Sequence, residues 1–383
     1  MARGATLDPP ARAGAGGLRA RWYALRARLV ADPRFQRWAA GFPLTRRIAQ
    51  ARTRALFDLC AGFTYSQTLF ACVRLDLFGM LSEGPVPEAA LAHRMGLAPE
   101  AGTRLLKAAA SLGLIRRLPD GHCLLADLGA ALVGNPAIGR MIEHHALLYE
   151  DLRDPVALLR GEAGPTRLAG YWPYASGDGP DLQGDAVASY SGLMSASQAL
   201  IAEDILKAYP MRRHRCLMDV GGGEGAFLAA AGRVAPDLQL RLFDLPAVAD
   251  RAEERMMRAG LAGRFEAFGG SFRTDPLPPG ADAITLVRVV HDHDDATVRI
   301  LLAAVREALP PGGRLILAEP MSGTPGGEPI TDAYFGLYLL AMGSGRCRSA
   351  RELRALLSEA GFRRTVEVAT RRPLLTRLLV STR

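Results

Sequence analysis

CLMDVGGGEG, residues 216–225, decides the fold. A short apolar run of strand length ends in three glycines, and a helix is expected to follow the loop. Glycines let the backbone turn sharply and let a ligand approach closely, with helix N–H groups aimed at it. Strand, glycine loop and helix open a doubly wound α/β sheet. The same alternation continues outward from Tyr190 to the C-terminus. Strands are predicted at 215–220, 239–244, 283–290 and 313–319, with a final pair near 364–369 and 375–381, and helices fill most gaps. The fold class is therefore α/β, a Rossmann-like unit over residues 190–383.

The glycine loop alone is a weak signal, and its spacing even satisfies G-x-G-x-x-A, so a nicotinamide oxidoreductase stays open. Two acids sharpen it. Asp219 stands two residues before Gly221, where a carboxylate suits a cationic ligand group better than a pyrophosphate. Asp244 ends the second strand, where an acid can take both ribose hydroxyls. S-adenosyl-L-methionine has an ammonium and a sulfonium and no phosphate, so it fits the pair, with Gly223 and Gly225 completing the loop.

A second polar cluster, HDHDD (291–295), closes the strand ITLVRVV. Histidine and aspartate are metal ligands, but consecutive residues of one turn point apart, and no metal is expected. A polar turn without chemistry is the bland alternative. The glycine loop, Asp244, His291 and Glu319 each close a predicted parallel strand, and such ends share one lip, where ligands bind. On that lip His291 reads as a general base, oriented by Glu319 or by Asp292.

Upstream the organisation changes. Residues 1–52 form a basic extension whose first 17 residues, rich in Gly, Ala and Pro, carry no expected element. Leu18, Trp22, Leu25 and Leu29 then share one stripe of a helix over 18–31 with arginines on both flanks, the layout of a helix lying in a membrane interface or packing on a partner subunit. Phe35, Trp38 and Phe42 mark a second short piece. Thr53 to Leu81 reads as one long helix, apolar all round and so buried in a core or subunit interface. Two short helices (87–95 and 99–112) and a hairpin around Pro119-Asp120-Gly121 complete a winged-helix outline within residues 53–138. Residues 139–189 supply linker helices and the loop GYWPYASGDGP.

Charge sorts the partners. The chain of 383 residues carries a net +8. Residues 1–60 hold 12 Arg, no Lys and three Asp, a net of +9, so the remaining 323 are neutral to within one charge. A neutral body argues against nucleic acid as partner, and the second winged-helix element, with Glu100, Arg104 and Lys107, is not a DNA-reading face. Five scattered cysteines with no C-x-x-C spacing suggest neither a zinc site nor a disulfide framework. No apolar run reaches the ~18 residues of a membrane span. The expected location is the cytoplasm, with peripheral contact at the inner face of the membrane.

DVGGGEG, FDLP (243–246), GGSF (269–272), HDHDD, PGGRLILAEP (311–320) and AGF (360–362) together resemble the class I O-methyltransferases of the caffeate and polyketide type, over about residues 53–383. The resemblance implies strand order 3-2-1-4-5-7-6, an intertwined homodimer, and S-adenosyl-L-methionine as cofactor. It puts Gly221, Asp244 and Leu245 on the cofactor, Ser271 and Phe272 at its adenine, Arg288 beside it, and His291 as base. The family usually has Asp-Met at 271–272 and HDW where this chain has HDH. Of the two glutamates that often flank the family's base, Glu319 matches one and the other falls on Cys347.

Within the family, LCAGFTYSQTLFACVRLDLF and EPMSGTPGGEPITDAYFGLYLLAMGSGR resemble the branch from purple bacteria that methylates the C-1 tertiary hydroxyl of acyclic carotenoids. A lipophilic hydroxycarotenoid is the implied substrate, with Met194, Trp172, Tyr334, Tyr338 and Met342 as pocket candidates and His144, His145 and Tyr174 beside them. A phenol or aromatic polyketide would use the same cofactor residues. A cofactor-binding winged-helix regulator is the alternative from another class.

Overall fold

The computed structural model describes residues 17–171 and 198–383. Three helices open the chain: α1 (Leu18–Ala31), α2 (Pro33–Gly41) and α3 (Pro43–Arg74). Prolines at the first turns of α2 and α3 restart the helix because their fixed φ suits that position. Asp32 caps α2 by accepting the Arg34 N–H at 2.7 Å. The long helix thus begins ten residues before Thr53. It ends at Arg74 rather than Leu81, since Asp76 turns into the left-handed region at φ 52°. The short α4 (Leu77–Met80) follows.

Of the two settings expected for α3, a core or a subunit interface, the chain's own core supplies little over most of its length. Only Cys72 is buried, while Leu59 and Phe63 stand 81% and 71% exposed. Its last turns, with Leu69, Cys72 and Val73, pack on the core of the following helices, while Leu56, Phe57, Leu59 and Phe63 stay exposed among the described residues. α1 likewise has no buried residue.

β1 (Val86–Pro87), α5 (Glu88–Arg94), α6 (Pro99–Ser111), β2 (Ile115–Arg117) and β3 (His122–Leu125) form the winged unit. Its sheet runs β1-β3-β2, and the edge strand β1 is an addition to the expected hairpin. Leu77, Leu91, Leu106, Ile115 and Cys123 make its core. Helices α7 (Asp127–Val133), α8 (Pro136–Asp151), α9 (Pro155–Leu159) and α10 (Arg167–Tyr171) lead onward, and α11 covers residues 198–208.

The large sheet has seven strands: β4 (Cys216–Val220), β5 (Gln239–Asp244), β6 (Phe265–Gly269), β7 (Ala283–Val287), β8 (Arg314–Glu319), β9 (Arg363–Val368) and β10 (Arg377–Thr382). Their order is β6-β5-β4-β7-β8-β10-β9, which in the sheet's own count is 3-2-1-4-5-7-6. The first five are parallel and β10 is antiparallel to both neighbours. β6 is absent from the strands read off the sequence. FEAFG lies at the sheet edge, has no β-branched residue and no fully buried position, so its local pattern is faint. β7 is three residues shorter than predicted, because Arg288 takes φ 57° and turns the chain into the His291 segment.

Alternation along β4 assigns the two faces. Met218 and Val220 pack with α14 (Asp295–Ala308) and α16 (Ala350–Glu359), through residues such as Leu302 and Leu357. Leu217 faces α11, α12 (Ala226–Val234) and α13 (Pro246–Arg258). A wide π-type turn, Pro329–Tyr334, runs into α15 (Phe335–Met342), which packs beside α8 and α10.

Candidate active site

All the polar features singled out at strand ends lie on one edge, the carboxyl end of the parallel strands. Asp219, near the end of β4, is 1% exposed. The Thr285 hydroxyl of β7 donates to its Oδ1 at 2.7 Å. Its Oδ2 is buried without a hydrogen-bond partner among the described residues. Burial pushes the carboxyl up to about 7. Gly222 lies directly over it: a Cβ there would sit 2.4 Å from Oδ2. Only glycine lets the loop cross the carboxylate, a role that a sequence reading centred on Gly221, Gly223 and Gly225 overlooks. Those three take positive φ of 69°, 60° and 75°.

Asp244 closes β5, and burial raises its carboxyl to about 6. Gly223 N–H donates to its Oδ2 at 2.8 Å and Leu245 N–H to its Oδ1 at 2.7 Å. Each oxygen keeps a lone pair for a further donor. Beyond β6, the Ser271 N–H donates to Asp275 at 2.8 Å. Phe272 is half-buried and meets the ring of His293 edge-on at 5.3 Å. These groups suit S-adenosyl-L-methionine: an unpartnered buried carboxylate oxygen for its ammonium, a glycine cradle, and an acid for its ribose.

His291 follows β7 on a tight turn and is 6% exposed. Its Nδ1 meets Oε2 of Glu319, the last residue of β8. The other Glu319 oxygen accepts the N–H groups of Val289 at 3.0 Å and Val290 at 2.7 Å. Asp292 Oδ1 lies 3.1 Å from His291 Nε2. Burial pulls the imidazole down, but the carboxylates of Asp292 and Glu319 outweigh it, and the net shift is upward from 6.5. The Asp292 carboxyl is also raised, chiefly by burial. Arg288 stacks over the Phe335 ring at 6.0 Å, and Phe335 meets His291 edge-on at 6.0 Å.

α15 and α8 build the wall beyond Phe335. Tyr334 pairs with His145 at 2.8 Å and Tyr338 with His144 at 2.7 Å. Burial holds His144 down at about 4 and lifts the Tyr334 phenol to about 12. Tyr338 and Met342 are buried among Leu148, Leu158 and Leu168, whereas Tyr334 is half-buried. Cys347 packs against the same cluster, and burial raises its thiol to about 12. Trp172, Tyr174 and Met194 lie outside the described residues. No group of three His, Cys, Asp or Glu converges as a metal cluster among the described residues.

Sequence reasoning missed Arg348. It is 2% exposed, and its guanidinium donates to the carbonyls of Val290 and His293, both at 2.8 Å. A signal existed, since an arginine in the segment GSGRCRS precedes a Ser-x-x-Glu helix start, but nothing local says where its side chain goes.

Known proteins match this architecture. Residues 149–363 match the O-methyltransferase domain, and residues 57–134 the O-methyltransferase dimerisation domain. The chain therefore belongs to the O-methyltransferase family. Among its relatives, the demethylspheroidene O-methyltransferase of Cereibacter sphaeroides is 51% identical, over 93% of this chain and 92% of that protein. The demethylspheroidene O-methyltransferase of Rhodobacter capsulatus is 43% identical over 89% of this chain and 85% of that one. The fold is shared with the solved mitomycin 7-O-methyltransferase (TM-score 0.74, 24% identity, 88% of this chain and 100% of that one).

The dimerisation domain makes the protein a homodimer. By length and composition α3 is also apolar enough to cross a membrane, the one such helix among the described residues.

Proposed function

We propose that this enzyme transfers a methyl group from S-adenosyl-L-methionine to the C-1 tertiary hydroxyl of an acyclic hydroxycarotenoid, with His291 as general base. The observation that carries the substrate is 51% identity, over 93% of the chain, to a protein named for demethylspheroidene methylation. When bound, the cofactor supplies a methyl group already activated by a sulfonium charge.

The chain's own residues do the rest. Asp219 takes the ammonium through Oδ2, and Asp244 the ribose hydroxyls, with Gly221, Gly223, Gly225 and Leu245 giving backbone approach. Ser271, Phe272 and Arg288 border the adenosine. A hydroxyl has a pKa near ~15.7, so a neutral imidazole cannot ionise it in advance. It would accept the hydroxyl proton as the substrate oxygen is methylated. Glu319 takes the Nδ1–H, which leaves Nε2 as the accepting nitrogen. Asp292, at 3.1 Å, then stabilises the imidazolium. Tyr334 and the aromatic wall behind it, with Tyr338 and Met342, form the hydrocarbon side of the pocket.

α1, α2 and the start of α3 carry the finer location. Leu18, Trp22, Leu25, Trp38, Leu44 and Ile48 are all more than half exposed, and all precede the dimerisation domain. With the arginines between them they suit an anionic bilayer, where such a substrate dissolves. The decisive test incubates the purified dimer with labelled S-adenosyl-L-methionine and a 1-hydroxycarotenoid in micelles. A labelled methyl ether is expected; its absence while cofactor binds would overturn the substrate assignment.

A further inference from the structure

We propose that Arg348 is a positioning residue for the reaction: the strap Gly343–Arg348 holds the His291 turn in catalytic register. The inference rests on His291 being the base.

The turn 289–293 is gripped from two sides by groups of opposite charge. On one side Glu319 accepts the N–H groups of Val289 and Val290 and meets the His291 ring. On the other, the strap donates to the turn's carbonyls. Arg348 Nη1 reaches Val290 O and Nη2 reaches His293 O, both at 2.8 Å. The Ser344 hydroxyl reaches the Asp292 carbonyl between them at 2.7 Å. Every one of these bonds falls within two residues of His291.

The strap has no slack. Gly345 runs at φ 89°, and a Cβ on it would stand 2.2 Å from the His291 carbonyl oxygen. Ser349 anchors its far end through a capping box, with Glu352 bonded to the Ser349 N–H at 2.8 Å. Its near end is the last turn of α15, which carries Tyr338 and Met342. The substrate wall and the base therefore share one rigid connection.

The choice of arginine is informative. Burying a guanidinium is costly, and its acid, Asp295 at 2.8 Å from Nε, is itself 37% exposed. Packing alone is served better by an apolar side chain of similar volume. What only a planar fork supplies is two parallel donors aimed at two carbonyls three residues apart.

The groups facing His291 are Glu319 from β8, Asp292 on its own turn and Arg288 at the end of β7. Arg348 acts through the turn's geometry rather than through charge on the ring. Loosening the turn withdraws Glu319 from the imidazole, so the acid limb of the kcat–pH profile moves to lower pH.

The experiment compares Arg348→Gln, Arg348→Lys, Ser344→Ala and His291→Ala in the full-length dimer, with labelled S-adenosyl-L-methionine and a micellar 1-hydroxycarotenoid. Arg348→Gln is expected to lose about 100-fold in kcat, the scale of a misplaced reacting group, with cofactor Kd within about threefold and the acid limb shifted down. Arg348→Lys recovers part of the loss. Ser344→Ala, which removes one bond from an otherwise intact strap, loses about fivefold in kcat. If Arg348→Gln keeps its turnover per folded dimer, or loses it with the acid limb unmoved, the positioning role is overturned. If Arg348→Gln does not fold, unchanged kcat in Ser344→Ala overturns it. Turnover persisting in His291→Ala would instead remove the base, a failure of the underlying reading that the Arg348 variants do not produce.

Discussion

Asp219 and Glu319 stand on the same lip, on strands β4 and β8 that flank β7, and both are buried at 1% and 2% exposure. They are used in opposite ways. Asp219 spends one oxygen on Thr285 and leaves the other without a donor. Glu319 spends both, on two backbone N–H groups and an imidazole. A buried carboxylate left half open is costly until a ligand completes it, so it reads as a binding group. One that is fully bonded is a scaffold, and its function is the geometry of whatever it holds. Residue type alone does not separate the two; their hydrogen bonds do.

That division of labour can be broken in several ways. The largest effect is expected at the group Glu319 holds. His291→Ala should lose about 10²- to 10⁴-fold in kcat, the usual contribution of a general base, while cofactor affinity by calorimetry stays unchanged. Equal losses in turnover and cofactor binding would merge the two acids into one function.

Glu319→Gln comes next, with a kcat loss of about 10- to 100-fold, the range for a hydrogen bond to a charged group. Its pH profile carries the sign. The Glu319 and Asp292 carboxylates raise His291 above its usual 6.5, and the base is active only when deprotonated. Wild-type kcat should therefore rise with pH along a limb above 6.5, and the variant's limb should lie lower. A limb that stays in place would detach Glu319 from the imidazole.

Asp219→Asn should act on the other half. Cofactor Kd weakens by about 10- to 100-fold, while kcat at saturating cofactor changes little. Because burial lifts Asp219 to about 7 in the free enzyme, wild-type cofactor affinity should fall below that pH, approaching about tenfold per unit, and the variant's should be flat. Stability gives an independent check. A carboxyl raised above its unfolded value of 3.8 contributes stability below that value and loses it as pH rises through 7. The free enzyme's Tm should drop from pH 5.5 to 8, and cofactor should protect more at the upper end.

The smallest effect on chemistry belongs to the arm. Deleting residues 1–42 should leave turnover on micellar substrate within about twofold, since α1 has no buried residue and α2 only Ala39. Sedimentation with vesicles containing anionic lipid should fall sharply. Undiminished sedimentation would assign the arm to the partner subunit.

Much of the lip was legible beforehand because each part is punctuated locally. The glycines after β4, Asp244 closing β5, the HDHDD turn and Glu319 before Pro320 all stand at predicted strand ends. β6 escaped because an edge strand has no fully buried position to mark it. The sequence leaves α3 between a core and a subunit interface because both call for the same apolar composition, and only its exposure in the fold separates them. Arg348 was invisible for a different reason: its carbonyl partners lie 55 and 58 residues away.

Read alone, then, the sequence determines the doubly wound fold, the order of chemistry along the lip and the family. Period-2 and glycine signals act over a few residues, and the parallel sheet gathers their ends whatever the details. Only the tertiary structure decided which buried acid keeps an open oxygen and which is fully bonded, and what holds the His291 turn. Those outcomes depend on where side-chain donors meet acceptors across strands and loops, to within a few tenths of an ångström. No local pattern carries that distance.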